Sequence, residues 1–572
     1  MIEVRSQQWE GEALRSRSKL KLPGILIWIH VMKFATTLLT AVTLKLLFAV
    51  LASASLEEAS RPNIVFLFTD DQATYSMGCY GNEDVQTPNL DRLAKAGVVF
   101  DRHYANTAIC MASRATVMTG MYEYKTGCNF MHGDMMKSTW DQSYPMLLRK
   151  SGYATAFAGK FGFELKINPD DENSLPLPAD DFDRWGGGPH QTSYVTRENK
   201  SMIAYAKEFP HSTLSYGAFG RDFITESAEA GKPFCLSISF KAPHKPATPD
   251  PRFDDVYKNR KFQKPKNFGR KAGEHFAPQS KTDRQYERFY SWNYADKYDE
   301  VMATYHQQVY GVDAAVGMMV EALEQAGVAG NTVIIYTSDN GFFCGSHGYG
   351  SKVLPYEESS RVPLIIFDPR HENSGKELRC KSLSGLVDIA PTILKLAGVP
   401  VPKMVDGADL MELYAKPDAT IHEDLALINA WGRQPTHSLS IVTRDTKYIH
   451  WGYGDNGMSV TEELYDLKND PLEMVNVIQA DSTSSAELTE SLATMRKKYD
   501  QHLAKWKAES VSYNFYKEYG VIFDRHLSWK ERQQMYLQKA GNKKKAKAAN
   551  KQTARAIHAA QPPIESVTEL PQ

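Results

Sequence analysis

Residues 108–120 read A-I-C-M-A-S-R-A-T-V-M-T-G, which sets Cys110 ahead of Ser113 and Arg114 where a loop gives way to a helix. A helix start presents unpaired N–H groups and positive dipole, and Arg114 lies one turn on, so an anion is favoured at or beside the cysteine. Cysteines among apolar neighbours are also commonly just buried. Two pairs of oxygen-bearing residues stand at the ends of apolar runs: Asn63–Phe68 leads into Thr69-Asp70-Asp71, and Thr332–Thr337 leads into Ser338-Asp339-Asn340-Gly341. Open α/β sheets hold ligands at such strand ends, although an Asp pair there also serves as a turn or helix cap. Brought together, Asp70, Asp71, Asp339 and Asn340 are hard oxygen donors without a thiolate or histidine set, which suits Ca²⁺ or Mg²⁺ over zinc.

The elements that must position these groups follow from pattern. Continuous apolar runs at 63–68, 233–240 and 332–337 predict strands buried on both faces of a parallel sheet. Thr87 to Phe100 predicts a capped helix stopped by Gly97 and followed by a strand, and Val301 to Gly327 has the helical spacing of a long core-packing helix. Asp388 opens a helix that ends near Gly398, and a further helix is expected around Ser491 to Lys507.

Several of these segments carry a family resemblance. C-M-A-S-R followed by T-G closely resembles the type I sulfatase signature C/S-x-P-S-R-x-x-x-x-T-G, in which the cysteine is converted to formylglycine and its hydrated aldehyde is the nucleophile. Ala112 stands where that family usually has proline. T-P-N-L-D-R-L-A-K-A-G-V-V-F at 87–100, G-Y-A-T-A-F-A-G-K ending at Lys160, F-K-A-P-H-K-P around His244, T-S-D-N-G at 337–341, the stretch from Lys352 to Leu364 and E-L-Y-D-L at 463–467 resemble further family segments in family order. The match runs from Asn63 to about Asn476.

The resemblance implies an alkaline-phosphatase-like α/β fold: a large mixed, mostly parallel sheet sandwiched by helices, with a smaller C-terminal antiparallel subdomain. It implies Cys110, Arg114, Lys160, His244 and Lys352 as catalytic residues, Arg361 as structural, and Asp70, Asp71, Cys110, Asp339 and Asn340 as the metal set. The metal it implies is Ca²⁺, with Mg²⁺ the alternative. By the same analogy Arg114, Lys160 and Lys352 neutralise sulfate oxygens, and His244 assists the leaving oxygen, a role suited to a side chain that titrates near pH 6 to 7. Many sulfatases continue K-W-H after the lysine, but Phe161 and Gly162 follow Lys160 here, so His132 and His347 are considered as substitutes.

The implied function is hydrolysis of a sulfate ester on a sulfated carbohydrate, polysaccharide or glycosaminoglycan-like, after maturation by a formylglycine-generating enzyme. The alternatives are a phosphodiester or phosphonate monoester hydrolase of the same superfamily and a non-catalytic sulfated-glycan binder.

Composition sets the outer limits. At 572 residues, with 42% hydrophobic and 24% charged residues and a formal net charge of −1, the chain is an ordinary globular protein without a global field for acidic partners. Six cysteines without a C-x-x-C pair indicate neither a zinc site nor a small disulfide scaffold. Lys33, the apolar run Phe34–Leu51 and Ala52-Ser53-Ala54 form an export signal with a small-x-small cleavage pattern, Met32 being a plausible start. The rival is a membrane anchor, since Gly24–Val31 is also apolar.

The expected organisation is an N-terminal extension and signal peptide over 1–54, a catalytic α/β domain over 60–415, a C-terminal subdomain over 416–530 and a disordered basic tail over 541–572. A periplasmic or secreted location is expected, with no stable membrane insertion after cleavage and no nucleic-acid partner. Lys258 to Lys271, basic throughout, is either a solvated loop or a rim for a polyanionic glycan. Asn199-Lys200-Ser201 is a weak glycosylation sequon.

Overall fold

The computed structural model describes residues 61–480, 485–538 and 541. The expected export segment and, Gly541 apart, the basic tail lie outside the described residues. Strand β1, Asn63–Thr69, is buried at every position. Its alternation feeds two cores: Ile64, Phe66 and Phe68 face one hydrophobic cluster, while Val65 and Leu67 face another. An uninterrupted apolar run is what a central strand covered on both sides requires.

Seven more strands complete the sheet: β2 (Val98–Phe100), β3 (Ala154–Lys160), β4 (Arg184–Gly188), β5 (Phe234–Ser239), β6 (Thr332–Ser338), β7 (Leu364–Phe367) and β8 (Leu378–Cys380). Their spatial order is β8-β2-β7-β6-β1-β5-β3-β4. β1 runs parallel to both β5 and β6, and β3 parallel to β5 and β4, whereas β7 is antiparallel to β6 and β2. The sheet is therefore mixed but mostly parallel. Because β1, β3, β5 and β6 point the same way, Asp70, Lys160, Lys241 and Asp339 emerge at one edge.

Helices cover both faces. α1 (Pro88–Ala96), α3 (Ser212–Glu229) and α4 (Tyr298–Gln325) pack with one core, and α2 (Cys110–Thr119) and α5 (Ile389–Leu396) with the other. α1 starts with proline at its first turn and stops at Gly97, where a Cβ would collide with the Ile366 backbone carbonyl. The second, four-stranded antiparallel sheet comprises β9 (Leu425–Asn429), β10 (Ser438–Val442), β11 (Thr446–Trp451) and β12 (Thr461–Asp466). Helix α6, Ala486–Glu509, packs its Met495, Tyr499, Leu503 and Trp506 into the same cluster as this sheet.

The smaller sheet also buttresses the edge at which Asp70, Lys160 and Asp339 emerge. Lys447 of β11 is buried, with Nζ 2.7 Å from Glu357 and 2.9 Å from Glu473. Glu357 lies five residues beyond Lys352 and also pairs with Arg361 at 3.0 Å. The segment carrying Lys352 is thus tied to the C-terminal sheet through a fully buried ion cluster. Among the described residues, no helix is long and apolar enough to cross a membrane.

Candidate active site

Cys110 is the first residue of α2, whose ten residues are all buried; the helix ends at Gly120, in the left-handed conformation that suits glycine. Around the cysteine the strand ends converge. Asp70 and Asp71 follow β1, Asp339 and Asn340 follow β6, Lys160 closes β3, and His244 comes from the loop after β5. Asp70, Asp71, Cys110 and His244 each offer a ligand atom within 4.8 Å of one another.

The charges interlock. Lys352 Nζ lies 2.6 Å from Cys110 Sγ and pairs with Asp71. Lys160 Nζ pairs with Asp70, and the Arg114 guanidinium lies 2.8 Å from Asp339 and 3.5 Å from Asp70. Three carboxylates therefore face three cations in a site that excludes water, with Arg114, Lys160 and Asp70 at most 1% exposed. His244 completes the ring, its Nε2 3.8 Å from Asp71 and its Nδ1 buried with no hydrogen-bond partner among the described residues.

Electrostatics follow from that packing. Burial alone would raise the Asp70 carboxyl, but Lys160, His244, Lys352 and Arg114 together hold it well below the usual carboxylate range. Asp339 is raised to about 6 by burial and by Asp70. Burial opposes charge on Lys352, yet Asp71, Cys110 and Asp70 raise its pKa well above the ordinary lysine value. Burial lowers His244. Cys110 itself is pushed up to about 12, first by burial and then by Asp70, against the pull of Lys160 and Lys352. Burial and Asp70 thus oppose a thiolate at Cys110, and of the places expected for an anion, at or beside the cysteine, the structure fills the one beside it with Asp70, 3.5 Å from Arg114.

Whether the residues fit a divalent ion is decided by one atom. Asn340 Oδ1 is buried without a hydrogen-bond partner among the described residues, while its Nδ2 donates to Asp71 at 2.8 Å. An orphaned carbonyl oxygen beside Asp70 and Asp71 is costly unless a cation takes it. The donor set fits a hard divalent ion.

Some contacts were invisible in the sequence. Ser239, at the end of β5, has Oγ 2.5 Å from Arg114 Nη1 and donates to the Lys160 carbonyl at 2.7 Å. Gln191 accepts from Lys160 Nζ at 2.7 Å. Strand alternation, which puts Ser237 and Ser239 on one face, is the signal that could have flagged the serine; nothing in the local pattern marks Gln191. Val353, next to Lys352, has φ +92°, a strained value for a β-branched residue and one concentrated at functional sites.

The two substitute histidines lie elsewhere. His132 bonds the Ala430 carbonyl at 3.2 Å and packs on Tyr516 and Tyr519. His347 is fully buried between Asn267 and the Ala272 carbonyl. Gly162, where the family's histidine would stand, is at φ +84° with Arg114 packed against it. The basic stretch is also largely spoken for: Lys258 pairs with Asp255, Arg260 with Asp84 and Lys261 with Asp299, while Arg270 stacks on Tyr286. All six cysteines are free thiols.

Comparison with known proteins gives a consistent result. Residues 62–399 match the sulfatase family, and residues 345–502 match the family described as N-sulphoglucosamine sulphohydrolase, C-terminal. An N-acetylglucosamine-6-O-sulfatase of Bacteroides thetaiotaomicron is 30% identical over 82% of this chain and 92% of its own. A Clostridium perfringens arylsulfatase is 28% identical, covering 76% and 93%. A solved structure described as a complex with its substrate D-glucosamine-2-N,6-O-disulfate superposes with TM-score 0.60 at 28% identity, covering 78% of this chain and 98% of that one. The phosphonate monoester hydrolase of Agrobacterium radiobacter shares the fold, with TM-score 0.60 at 20% identity over 77% and 96%.

Proposed function

The chain belongs to the formylglycine-dependent sulfatase family of hydrolases, and we propose that it removes sulfate from a sulfated carbohydrate, with Cys110 converted to formylglycine and Ca²⁺ as the bound ion. The observation that carries this reading is the position of Lys352, 2.6 Å from Cys110 Sγ inside a cluster that also holds Arg114 and Lys160. Three preorganised cations around one buried side chain at a helix start form a receptor for a tetrahedral anion, and such donors gain strength where water is excluded.

The roles follow from placement. Arg114, held by Asp339 and Ser239, and Lys160, held by Asp70 and Gln191, bind sulfate oxygens. His244, with Nδ1 buried and unpartnered among the described residues and the ring partly exposed, holds the proton for the leaving ester oxygen. Asp70, Asp71, Asp339 and Asn340, with the modified Cys110, hold the divalent ion, which when bound supplies positive charge next to the nucleophile. The sugar class is supported by the relatives: an N-acetylglucosamine-6-O-sulfatase and a structure holding a sulfated glucosamine.

Maturation requires a formylglycine-generating partner that tolerates Ala112 in place of proline. The export signal expected at Lys33–Ala54 directs the protein to the periplasm or outside the cell. The test is release of inorganic sulfate from sulfated monosaccharides by co-expressed, converted protein, run beside matched phosphonate and phosphate esters. A preference for the phosphorus esters would favour the second reading, which the shared fold of the phosphonate monoester hydrolase keeps open.

A further inference from the structure

Beside Cys110 the protein holds a cavity of about 320 Å³ whose wall includes Met111, Phe130, Gly162, Glu164, His190 and Gln191. Its inner end abuts the cationic cluster. Met111 follows Cys110, Gln191 accepts from Lys160, and Gly162 packs against Arg114. The Arg114 Nε is buried without a hydrogen-bond partner among the described residues, 3.2 Å from where a Cβ of Gly162 would stand. A buried donor left without a partner behind Gly162, itself a lining residue, places unsatisfied positive charge next to this end of the cavity.

The outer wall has the opposite character. Glu164 and Asp134 line it, bridged by the hydroxyl of Ser174. Lys166 lies 3.3 Å from Asp134, whereas among the described residues Glu164 has no lysine or arginine partner and faces the His190 imidazole, 3.8 Å away and 78% exposed. No lysine or arginine lines the cavity. Phe130, 51% exposed, lines the cavity and lies 6.4 Å from Trp431, which packs on Ile109, Ala112 and Val353 around the nucleophile. Exposed aromatic rings at such a mouth offer a flat apolar surface to the C–H face of a sugar.

We infer that this cavity seats the sugar residue that carries the scissile sulfate, and that the residue bears hydroxyl or ammonium groups there and no second sulfate or carboxylate. The inference rests on the sulfatase reading and deepens it. Hydroxyl and ammonium donors satisfy Glu164 and Asp134, whereas a second anion meets carboxylates in a partly enclosed, weakly screened space. The substrate in the solved relative's complex, by contrast, carries two sulfates.

The experiment uses full-length protein with verified conversion of Cys110, assayed on 4-nitrophenyl sulfate and on pairs of monosaccharide sulfates differing only by one added sulfate. In whichever pair is cleaved, the monosulfated member is expected to have a kcat/KM at least ~tenfold higher, mostly through KM. Glu164→Gln and Glu164→Lys, checked for folding by thermal melting, are expected to narrow that ratio to within about threefold or reverse it. A wild-type enzyme that prefers the disulfated member or treats both alike overturns the inference. So does a ratio unmoved in both variants, or cleavage of the aryl sulfate with every sugar refused. Failure on all esters, the aryl sulfate included, contradicts the hydrolase reading itself.

Discussion

A Cβ on Gly162 would stand 2.5 Å from Cδ of Arg114. The position at which many sulfatases carry a histidine is therefore filled in this protein by the arginine of the signature segment. Arg114 then reaches Asp339, Ser239 and the Lys160 carbonyl in a single network.

Gly162→His is accordingly expected to harm the enzyme. The new side chain must displace Arg114 and adopt φ +84°, so kcat/KM falls by roughly a hundredfold or more, in line with loss of one preorganised donor. Gly162→Ala alone costs about 1–3 kcal/mol of stability through strain and overpacking. Urea unfolding and steady-state assays measure the two effects. Normal or increased activity in Gly162→His would show that the space was free.

Lys352→Ala removes the cation nearest Cys110 and leaves Asp71 with an unpaired charge. A loss of ~10²–10³ in kcat is expected. Lys352→Arg, a wider group without room beside the sulfur, recovers little of it. Retention of more than about a tenth of wild-type kcat would mean that Lys352 serves structure only.

Ion binding has a readout that does not need substrate. After chelation, Ca²⁺ at a hundredfold excess over its Kd is expected to stabilise the fold by about 2.7 kcal/mol, read as a rise in melting temperature. Asp71→Asn and Asn340→Leu should abolish that rise. A larger response to Mg²⁺ than to Ca²⁺ would reassign the ion.

Part of the acid sensitivity arises away from the site. His103, His306 and His450 are buried, and burial pushes each down to about 3 from the ordinary 6.5. A histidine neutral when folded takes up its proton only on unfolding, so its contribution is intact above pH 6.5 and is lost as pH falls from there toward 3. Each such group steepens the loss by ~1.4 kcal/mol per pH unit. Urea midpoints at pH 7, 6 and 5 should fall progressively, and His306→Gln or His450→Gln should flatten the slope. A midpoint constant over that range would show that these side chains are accessible to protons in the native state.

The backbone frame was legible because its signals are local. The runs at 63–68 and 332–337 are dominated by apolar residues, so two-faced burial was the economical reading, and the polar residues after them sit where parallel strands place ligands. Gly97 marked a helix end for a steric reason that holds in the fold. What escaped was long-range. Lys258 to Lys271 read as either a solvated loop or a basic rim, and the fold brings Asp84 and Asp299, distant in sequence, against Arg260 and Lys261. Gln191 reaches Lys160 across 31 positions, and Lys447 reaches Glu357 from the other sheet. Helix α6 starts earlier than expected, at Ala486, where the Ser485 side chain caps it by accepting from Leu488 N–H, and it runs on to Glu509.

The most direct test of the central claim combines conversion with turnover in one sample. Protein co-produced with a formylglycine-generating enzyme is digested with trypsin, and the peptide His103–Arg114 is weighed while the same preparation is assayed for sulfate release. The account predicts a loss of about 18 Da at Cys110, the change from thiol to aldehyde, and sulfate release that scales with the converted fraction and vanishes in Cys110→Ala. Sulfate release by fully unconverted protein, or none from fully converted protein on any sulfate ester, would contradict it.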